Sequence, residues 1–292
     1  MATQKKPAAK KATATKKPGT SMAAWDEQLA KYAEQAAATE ANTGSGMKSF
    51  ALKSGVLSFD GEALPNSEMA VIILDHILAN EYFDTDYDPD TPQPRACFAL
   101  GRDAIAMAPH ESVVAAGQAQ HATCQGCPMN EFGSAAKGRG KACGNRRRLI
   151  VIPAGTFDKR SGEFKMIEDE SHYEQAQGAF LNLPVMSAQG YARYVKQLKG
   201  SLNRPPFAVV TRVKVVPDAK SQFLVTFEAI EELPAELIGT IIKRHEEAEE
   251  LIMVPFSLVA DDQEEAAPKK GGKATSKKPA AKTATGNARK KY

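Results

Sequence analysis

Alternation of apolar and polar residues is the clearest pattern in the chain, and it predicts β-strands. Residues 207–216 and 222–230 carry apolar side chains at every second position, and residues 217–220, with one proline and one aspartate, join them. Successive side chains of a strand point to opposite faces, so Arg212 and Lys214 are separated from the valines that alternate with them. We expect these two cations on an open face of a sheet.

Shorter patterns predict further strands. The apolar run 69–74 is rich in β-branched residues, which favours a strand that continues toward residues 82–83. Residues 49–61 are predicted as a hairpin, because Ser54-Gly55 interrupts the apolar positions and Asp60-Gly61 closes them. Three more strands are predicted at residues 148–153, 164–167 and 178–183.

Three stretches follow the helical period instead, namely residues 22–40, 188–199 and 234–251. The first has a narrow apolar stripe, made of Trp25, Leu29, Tyr32 and Ala36. Residues 99–120 have little period and are predicted as a loop. Residues 84–94 are acidic and proline-rich but lack the glycine and closing glutamate of a calcium loop, so we expect a solvated loop. Together these elements predict a mainly β (α+β) fold, a Greek-key antiparallel barrel with peripheral helices.

Charge is distributed unevenly over the 292 residues, whose net charge is +3. Residues 1–20 carry six lysines and residues 268–292 eight lysines and one arginine, with no acid in either stretch, which leaves −12 on the body between them. Both tails are Lys/Ala/Pro/Thr mixtures that resemble linker-histone tails. We expect them to be disordered and to attract polyphosphate, although a purely solubilising role is the alternative.

These shifts in composition suggest domain boundaries. We expect a disordered basic tail over residues 1–20, a helix and linker over 21–45, and one large domain over 46–260 with an insertion at about 95–148. An acidic patch and a second basic tail follow over 261–292. No apolar run has the ~18 residues of a transmembrane helix, and no signal peptide is recognised.

The four cysteines point to a metal site rather than to disulfides. Cys97, Cys124, Cys127 and Cys143 combine one CxxC motif with two single thiols, a set that suits tetrahedral Zn²⁺. His121 is an alternative fourth ligand, in which case Cys97 would be a small buried hydrophobic residue. A [4Fe–4S] cluster also stays open, because a proline follows Cys127 as it often does near cluster ligands.

Next to the cysteines lies the densest basic cluster outside the tails. It contains Arg139, Lys141, Arg146, Arg147 and Arg148, and Gly138 and Gly140 allow a backbone to approach phosphate. A solvated charge run is the alternative, but two basic tails and a metal knuckle favour nucleic acid. Aromatic side chains could stack bases beside this cluster. The candidates are Phe132, Tyr191, Tyr194, Tyr82 and Phe83, although most aromatic residues at strand or helix spacing belong to the core.

Catalytic motifs are absent from the sequence. Its other histidines are isolated, no Ser/His/Asp arrangement or phosphate loop occurs, and the aspartates at 84, 86, 88 and 90 alternate in a proline-rich loop. We therefore do not predict an enzyme.

The spacing of these motifs resembles a group of tailed-bacteriophage proteins described as single-stranded DNA-binding proteins. The resemblance covers about residues 50–232 and rests on Cys97-Phe-Ala, CQGCPMNEFGS at 124–134, GRGKAC at 138–143, Arg147-Arg148-Leu149, Tyr82-Phe83, Tyr-Asp-Pro at 87–89 and GYARYV at 190–195. It implies that the four cysteines act together. A more distant resemblance to phage helix-destabilising proteins implies an OB-like barrel with a zinc-binding subdomain. Those proteins end in an acidic region, whereas the acidic residues 261–265 are followed here by a basic tail.

The resemblance implies a protein that coats single-stranded DNA without sequence specificity during replication or recombination, in the cytoplasm of the infected bacterial host. Its partners would be single-stranded DNA and, beyond that, replication or recombination proteins, with no membrane involved. Two alternatives remain. One is a nucleic-acid-processing enzyme or accessory factor with a zinc or iron–sulfur site, and the other is a DNA-condensing protein that binds through its basic tails.

Overall fold

A computed structural model describes residues 28–29, 31–33, 47–85, 93–158 and 160–256, and the backbone of 259–260. The strands are β1 (Met47–Lys53), β2 (Val56–Phe59), β3 (Glu62–Ala63), β4 (Glu68–Tyr82), β5 (Cys97–Gly101), β6 (Cys143–Phe157), β7 (Phe164–Met166), β8 (Ala179–Leu183), β9 (Val209–Asp218), β10 (Gln222–Glu232) and β11 (Val259–Ala260). The helices after residue 47 are α1 (Glu111–Ala115), α2 (Glu170–Gln175), α3 (Val185–Ser201) and α4 (Ala235–Leu251).

The strands form one mixed sheet in the order β10-β9-β4-β6-β8-β1-β2-β3, with β5 beside β4, β7 beside β6 and β11 beside β1. β1 runs parallel to β8 and β11, whereas the other pairs are antiparallel. Among the described strands, β10 and β3 are not paired with each other, so the sheet is open. The mainly β fold is confirmed. The expected antiparallel barrel is not seen among the described strands, because β1 enters the sheet parallel to β8 and the end strands do not meet.

Helices cover both faces of the two long central strands, β4 and β6. On one face, α3 packs Tyr191, Tyr194 and Leu198 against a cluster that includes Val151. On the other face, α4 packs its apolar side against Ile150 and its neighbours. A strand buried on both faces needs apolar residues at consecutive positions, which explains the continuous apolar run of β4.

Most predicted elements are confirmed, with small shifts of their ends. β9, β10, α3 and α4 occupy the expected stretches, and β6 begins five residues before the predicted strand at 148. The expected loop over 99–120 is wrong in part, because it contains the end of β5 and the short helix α1. β5 forms because its backbone pairs with β4 from Leu78 to Tyr82, a long-range contact that local periodicity does not report.

Several predictions fall largely outside the described residues. They concern both basic tails, the acidic patch 261–265 and most of the acidic loop, whose residues 86–92 are not described. Of the helix expected over 22–40, residues 28–29 and 31–33 are described and are helical, with Leu29 and Tyr32 exposed. Within the described part of the chain, no helix is long and apolar enough to cross a membrane.

Candidate metal centre and nucleic-acid surface

The pairing of β4 with β5 and β6 places Cys97 and Cys143, the two cysteines outside the CxxC motif, beside the same residue of β4. Tyr82, the last residue of β4, pairs with Cys97 at the start of β5 and with Cys143 at the start of β6. Directly opposed residues on neighbouring strands point to the same face. The thiols of Cys97 and Cys143 therefore lie on one face, on either side of Tyr82.

The CxxC turn is folded between these strands by local backbone contacts. The Cys124 N–H donates to Met107 O at 2.9 Å, and the Cys127 carbonyl accepts from the Asn130 N–H at 2.8 Å in a 3₁₀ turn. Gly126, between the two cysteines, has a φ of +77°, a left-handed conformation that residues with a Cβ rarely adopt. The glycine therefore allows the tight turn.

All four cysteines line one small cavity, of about 20 Å³, together with His121. Cys124, Cys127 and Cys143 are buried, and Cys97 is half-buried. Among the described residues, however, no three His, Cys, Asp or Glu side chains are already gathered into a group that could hold a metal ion. Four sulfurs lining one cavity are suitable ligands for Zn²⁺ or an iron–sulfur cluster. Their side chains are not, however, arranged as a coordination shell around one point.

Burial raises the pKa of the Cys97, Cys124 and Cys143 thiols, and the proximity of other cysteines adds to the effect. The pKa of Cys143 rises to about 12, first through desolvation and then through the charges of Cys124, Cys127 and Cys97. Desolvation also raises the pKa of Cys97 and Cys124, although hydrogen bonds from the Gln120 backbone and the Asn80 side chain oppose it. Such hydrogen bonds to sulfur are typical of thiolate sites, where a cation offsets the negative charge.

Side-chain hydrogen bonds among three asparagines hold the turn from Cys124 to Cys127, here called the knuckle, in place. Asn145 Nδ2 donates to Asn80 Oδ1 at 2.7 Å and to Asn130 Oδ1 at 3.0 Å, and Asn130 Nδ2 donates to Cys124 O at 2.9 Å. Lys141 Nζ donates to the side-chain oxygens of Asn130 and Asn145, both at 3.1 Å. The network ties the CxxC turn to β4, β6 and the basic loop. Our sequence reasoning missed it, although Asn130 and Asn145 each lie within three residues of a cysteine.

The segment from Phe132 to Lys141, here called the knuckle loop, projects next to the cysteines. Its base is closed by the Gly140 carbonyl, which accepts the N–H groups of Gly133 at 2.9 Å and Ala135 at 3.2 Å. Phe132 is 83% exposed, and Lys141 Nζ lies 5.1 Å from the centre of its ring. The loop also exposes Lys137 and Arg139. An aromatic ring thus stands in water beside several cations.

The three consecutive arginines of β6 do not form one surface, because alternate residues of a strand face opposite ways. Arg147 is half-buried, and desolvation lowers the pKa of its guanidinium. Arg146 Nε lies 3.8 Å from a carboxylate oxygen of Glu81, which also pairs with Arg95 at 2.7 Å. The charges of Arg146 and Arg147 are therefore less available to a phosphate than the sequence suggested.

Arg148 corrects the prediction outright, because its exposure is 0%. Its guanidinium lies 3.9 Å from the ring centre of Phe180 and 4.7 Å from that of Phe256, and its Nη1 donates to Ile252 O at 3.1 Å and to Val254 O at 2.5 Å. It stabilises the fold and cannot contact a nucleic acid on the surface.

The predicted aromatics on α3 are also buried rather than available to bases. Tyr191 is 1% exposed and lies against Phe227, and Tyr194 is 5% exposed and shares a 2.6 Å hydrogen bond with Thr211. The side of α3 that carries both tyrosines packs into the core. Tyr82, by contrast, is half-buried and lines the thiol cavity.

Arg212 and Lys214 lie on β9 and are part-exposed, as expected, but both bind a buried carboxylate. Glu68 accepts from Arg212 Nε at 3.0 Å and Nη2 at 2.7 Å, and Lys214 Nζ lies 3.3 Å from the same oxygen. Desolvation raises the pKa of Glu68, but the hydrogen bonds from Arg212, Lys214 and Asn66 outweigh it and the pKa is lowered. One anion therefore offsets part of the charge of two cations, far from the knuckle loop.

No family model, curated protein or solved structure matches the chain. Function therefore has to follow from the geometry of the thiol cavity and the knuckle loop, and the resemblance to phage proteins stays a prediction.

Proposed function

We propose that this chain is a single-stranded DNA-binding protein of a tailed bacteriophage, which coats exposed strands without sequence specificity in the host cytoplasm. One observation carries the proposal. Phe132 is 83% exposed, and the Lys141 ammonium lies 5.1 Å from the centre of its ring. An exposed aromatic ring can stack on a base, and the neighbouring cation suits a ligand that is planar and anionic.

The charge of the knuckle loop supports the same ligand. From Glu131 to Lys141 the chain carries three cations and one anion, a net charge of +2. Phosphates of a single strand would lie near Lys137, Arg139 and Lys141, while a base stacks on Phe132. Neither contact reads a base edge, so binding is sequence-tolerant. Binding through phosphate contacts and base stacking does not require a closed OB barrel. It shares with OB-like proteins only the use of a β-sheet to present loops to the nucleic-acid strand.

A metal ion would serve this surface by fixing the knuckle. Cys97, Cys124, Cys127 and Cys143 would hold Zn²⁺, with His121 as the alternative ligand and [4Fe–4S] as the alternative cofactor. A bound cation supplies the positive charge that four neighbouring thiolates require. A fixed knuckle would also fix the position of Lys141, because Lys141 donates hydrogen bonds to Asn130 and Asn145. The metal's role in this proposal is structural and not catalytic.

The test is a titration of the full chain with a single-stranded oligonucleotide and with the matching duplex over a salt series. The basic tails are identical in every variant, so differences between variants report the folded body. Phe132→Ala is expected to weaken single-strand binding by about 1–3 kcal/mol, the usual contribution of one stacked base. Lys141→Gln should reduce the slope of log K against log salt by about 0.7, the value for one phosphate of a single strand.

Ile242→Ala is the matched control, because Ile242 is an apolar side chain on α4 that is 41% exposed. It should leave both quantities unchanged. If Phe132→Ala and Lys141→Gln bound like the control, the knuckle loop would not be the interface. Equal affinity of the wild type for single strands and duplex would favour the alternative of a DNA-condensing protein that binds through its tails.

A further inference from the structure

A second surface, away from the knuckle, has the features of a binding site. A groove with a volume of about 520 Å³ opens between the β1–β2 hairpin and the ends of β4 and β6. Its rim includes the exposed side chains of Pro65, Asn66 and Gln177, so the groove is accessible from water. We propose that this groove, here called the hairpin groove, binds an unstacked base of the same nucleic-acid strand that contacts the knuckle loop. The inference rests on the proposed function and adds a second contact to it.

Aromatic rings line the hairpin groove. Phe50 and Phe59 lie with their ring centres 4.6 Å apart and their planes tilted by 33°, and Phe157 lines the same groove from the end of β6. All three are half-buried, so each is fixed by packing and still reaches the groove. Rigid, partly exposed rings suit a flat aromatic ligand, because stacking then costs little side-chain ordering.

Cations adjoin two of these rings. Lys48 Nζ lies 5.9 Å from the centre of Phe59, and the Arg212 guanidinium lies 4.6 Å from the centre of Phe157. Lys48 also pairs with Asp60 at 2.5 Å, and Arg212 with Glu68 at 2.7 Å. A phosphate next to a stacked base would find cations here, but much of their charge is already offset. Stacking should therefore dominate over charge in the hairpin groove, in contrast to the knuckle loop.

The same two strands connect both sites. Tyr82 pairs with Cys143 at the knuckle end of β4 and β6, and Ala70 pairs with Gly155 at the groove end. The twelve residue steps from Ala70 to Tyr82 on β4 span at most ~40 Å at ~3.3 Å per residue. A nucleic-acid strand of sufficient length can span this distance and contact both sites, which a mononucleotide cannot do.

The chain's own N-terminal segment is the competing occupant. Leu29 and Tyr32 are exposed and apolar, and the undescribed residues 34–46 connect their helix to Met47 at the start of β1, next to the groove residue Lys48. Residues 21–46, which hold both side chains, carry four acids and one lysine, so charge does not exclude this segment from a groove whose rim includes Lys48 and where Arg212 lies on Phe157. The tilted ring pair of Phe50 and Phe59 is what favours a flat base as the occupant, and the emission of Trp25, which lies in this segment, separates the two occupants.

The test compares two single-stranded probes on the full chain, a thymidine oligonucleotide of about 16 nucleotides and an abasic strand of the same length. The variant is Phe59→Leu, which keeps an apolar side chain and removes the ring. We expect a roughly ten-fold loss of affinity for the thymidine strand, an unchanged salt slope and unchanged binding of the abasic strand. Phe207→Leu is the control, because Phe207 is half-buried and stacks on His245 at 4.5 Å outside the groove.

Three results would overturn the inference. Phe59→Leu could bind the thymidine strand like the wild type, or it could weaken both probes equally, as a folding defect would. It could also change the emission of Trp25, the one tryptophan of the chain, without any DNA, which would place the N-terminal segment in the groove. If Phe132→Ala weakens binding while Phe59→Leu does not, only the groove assignment fails. If the wild type shows no preference for single strands, the proposed function itself fails.

Discussion

Arg148 offers the sharpest test of how this fold is held together, because its charge is wholly inside the protein. The replacement Arg148→Met keeps a long apolar side chain and removes the guanidinium. It takes away the hydrogen bonds that Nη1 gives to the carbonyls of Ile252 and Val254, and the stacking on Phe180 and Phe256.

The magnitude follows from these contacts. A hydrogen bond from a charged group contributes about 1.5–3 kcal/mol, and a desolvated cation–π contact about 2 kcal/mol. The apolar replacement recovers part of this, because burying a methionine is favourable whereas burying a guanidinium costs desolvation. We expect a net loss of about 3 kcal/mol in the free energy of unfolding.

The assay is urea unfolding monitored by far-ultraviolet circular dichroism. With a slope of about 2 kcal/mol per molar urea, the midpoint of Arg148→Met should fall by roughly 1.5 M. Arg139→Met, an exposed position on the knuckle loop, is the control and should change stability by less than about 0.5 kcal/mol. A loss below about 1 kcal/mol for Arg148→Met would refute the view that this arginine joins β6 to the segment after α4.

Two further predictions concern stability. Glu68→Gln should be most destabilising at neutral pH; because the folded-state pKa of Glu68 is lowered from its ordinary 4.5, the carboxylate stabilises the fold above that value and this contribution is lost as the pH falls through the folded-state pKa. Melting temperatures of both proteins from pH 7 downward should converge, and a constant gap would contradict the reasoning. Gly126→Ala should destabilise by about 1–2 kcal/mol, since Gly126 has a φ of +77°. Gly200→Ala, inside α3 with open space around it, should instead stabilise slightly in the same thermal melts, and equal effects would be inconsistent with strain at the knuckle.

How far the sequence predicts the fold depends on the range of the interactions involved. β9 and β10 follow from their own alternation, because β9 has one buried face and one part-exposed face, and the apolar side chains Phe223, Val225 and Phe227 of β10 are buried or half-buried. β5 could not be predicted the same way, since its five residues become a strand only by pairing with β4. The open, mixed sheet also depends on a long-range choice, the parallel entry of β1 beside β8.

The candidate site shows the same division. One CxxC motif with two single thiols suggested a shared site, and all four cysteines line a single cavity, although no group that could hold a metal ion is formed among the described residues. The run Arg146–Arg148 suggested one basic surface, but successive side chains of a strand point to opposite faces. The carbonyls that bind Arg148 belong to residues about a hundred positions further along the chain, so its burial could not be predicted locally. Charge density in a sequence reports composition, whereas the surface that it forms depends on strand register. The hairpin groove, built from β1, β2, β4 and β6, had no local signature at all.

Photo-crosslinking tests the central claim most directly. The full chain would be bound to a single strand carrying photoreactive thymidine analogues, irradiated, digested and mapped by mass spectrometry, with Phe132→Ala in parallel. We predict adducts on the peptide that contains Phe132, and their loss in the variant while adducts on the basic tails persist. Adducts confined to residues 1–20 and 268–292 would contradict the account, because the folded body would then not be the part that binds the strand.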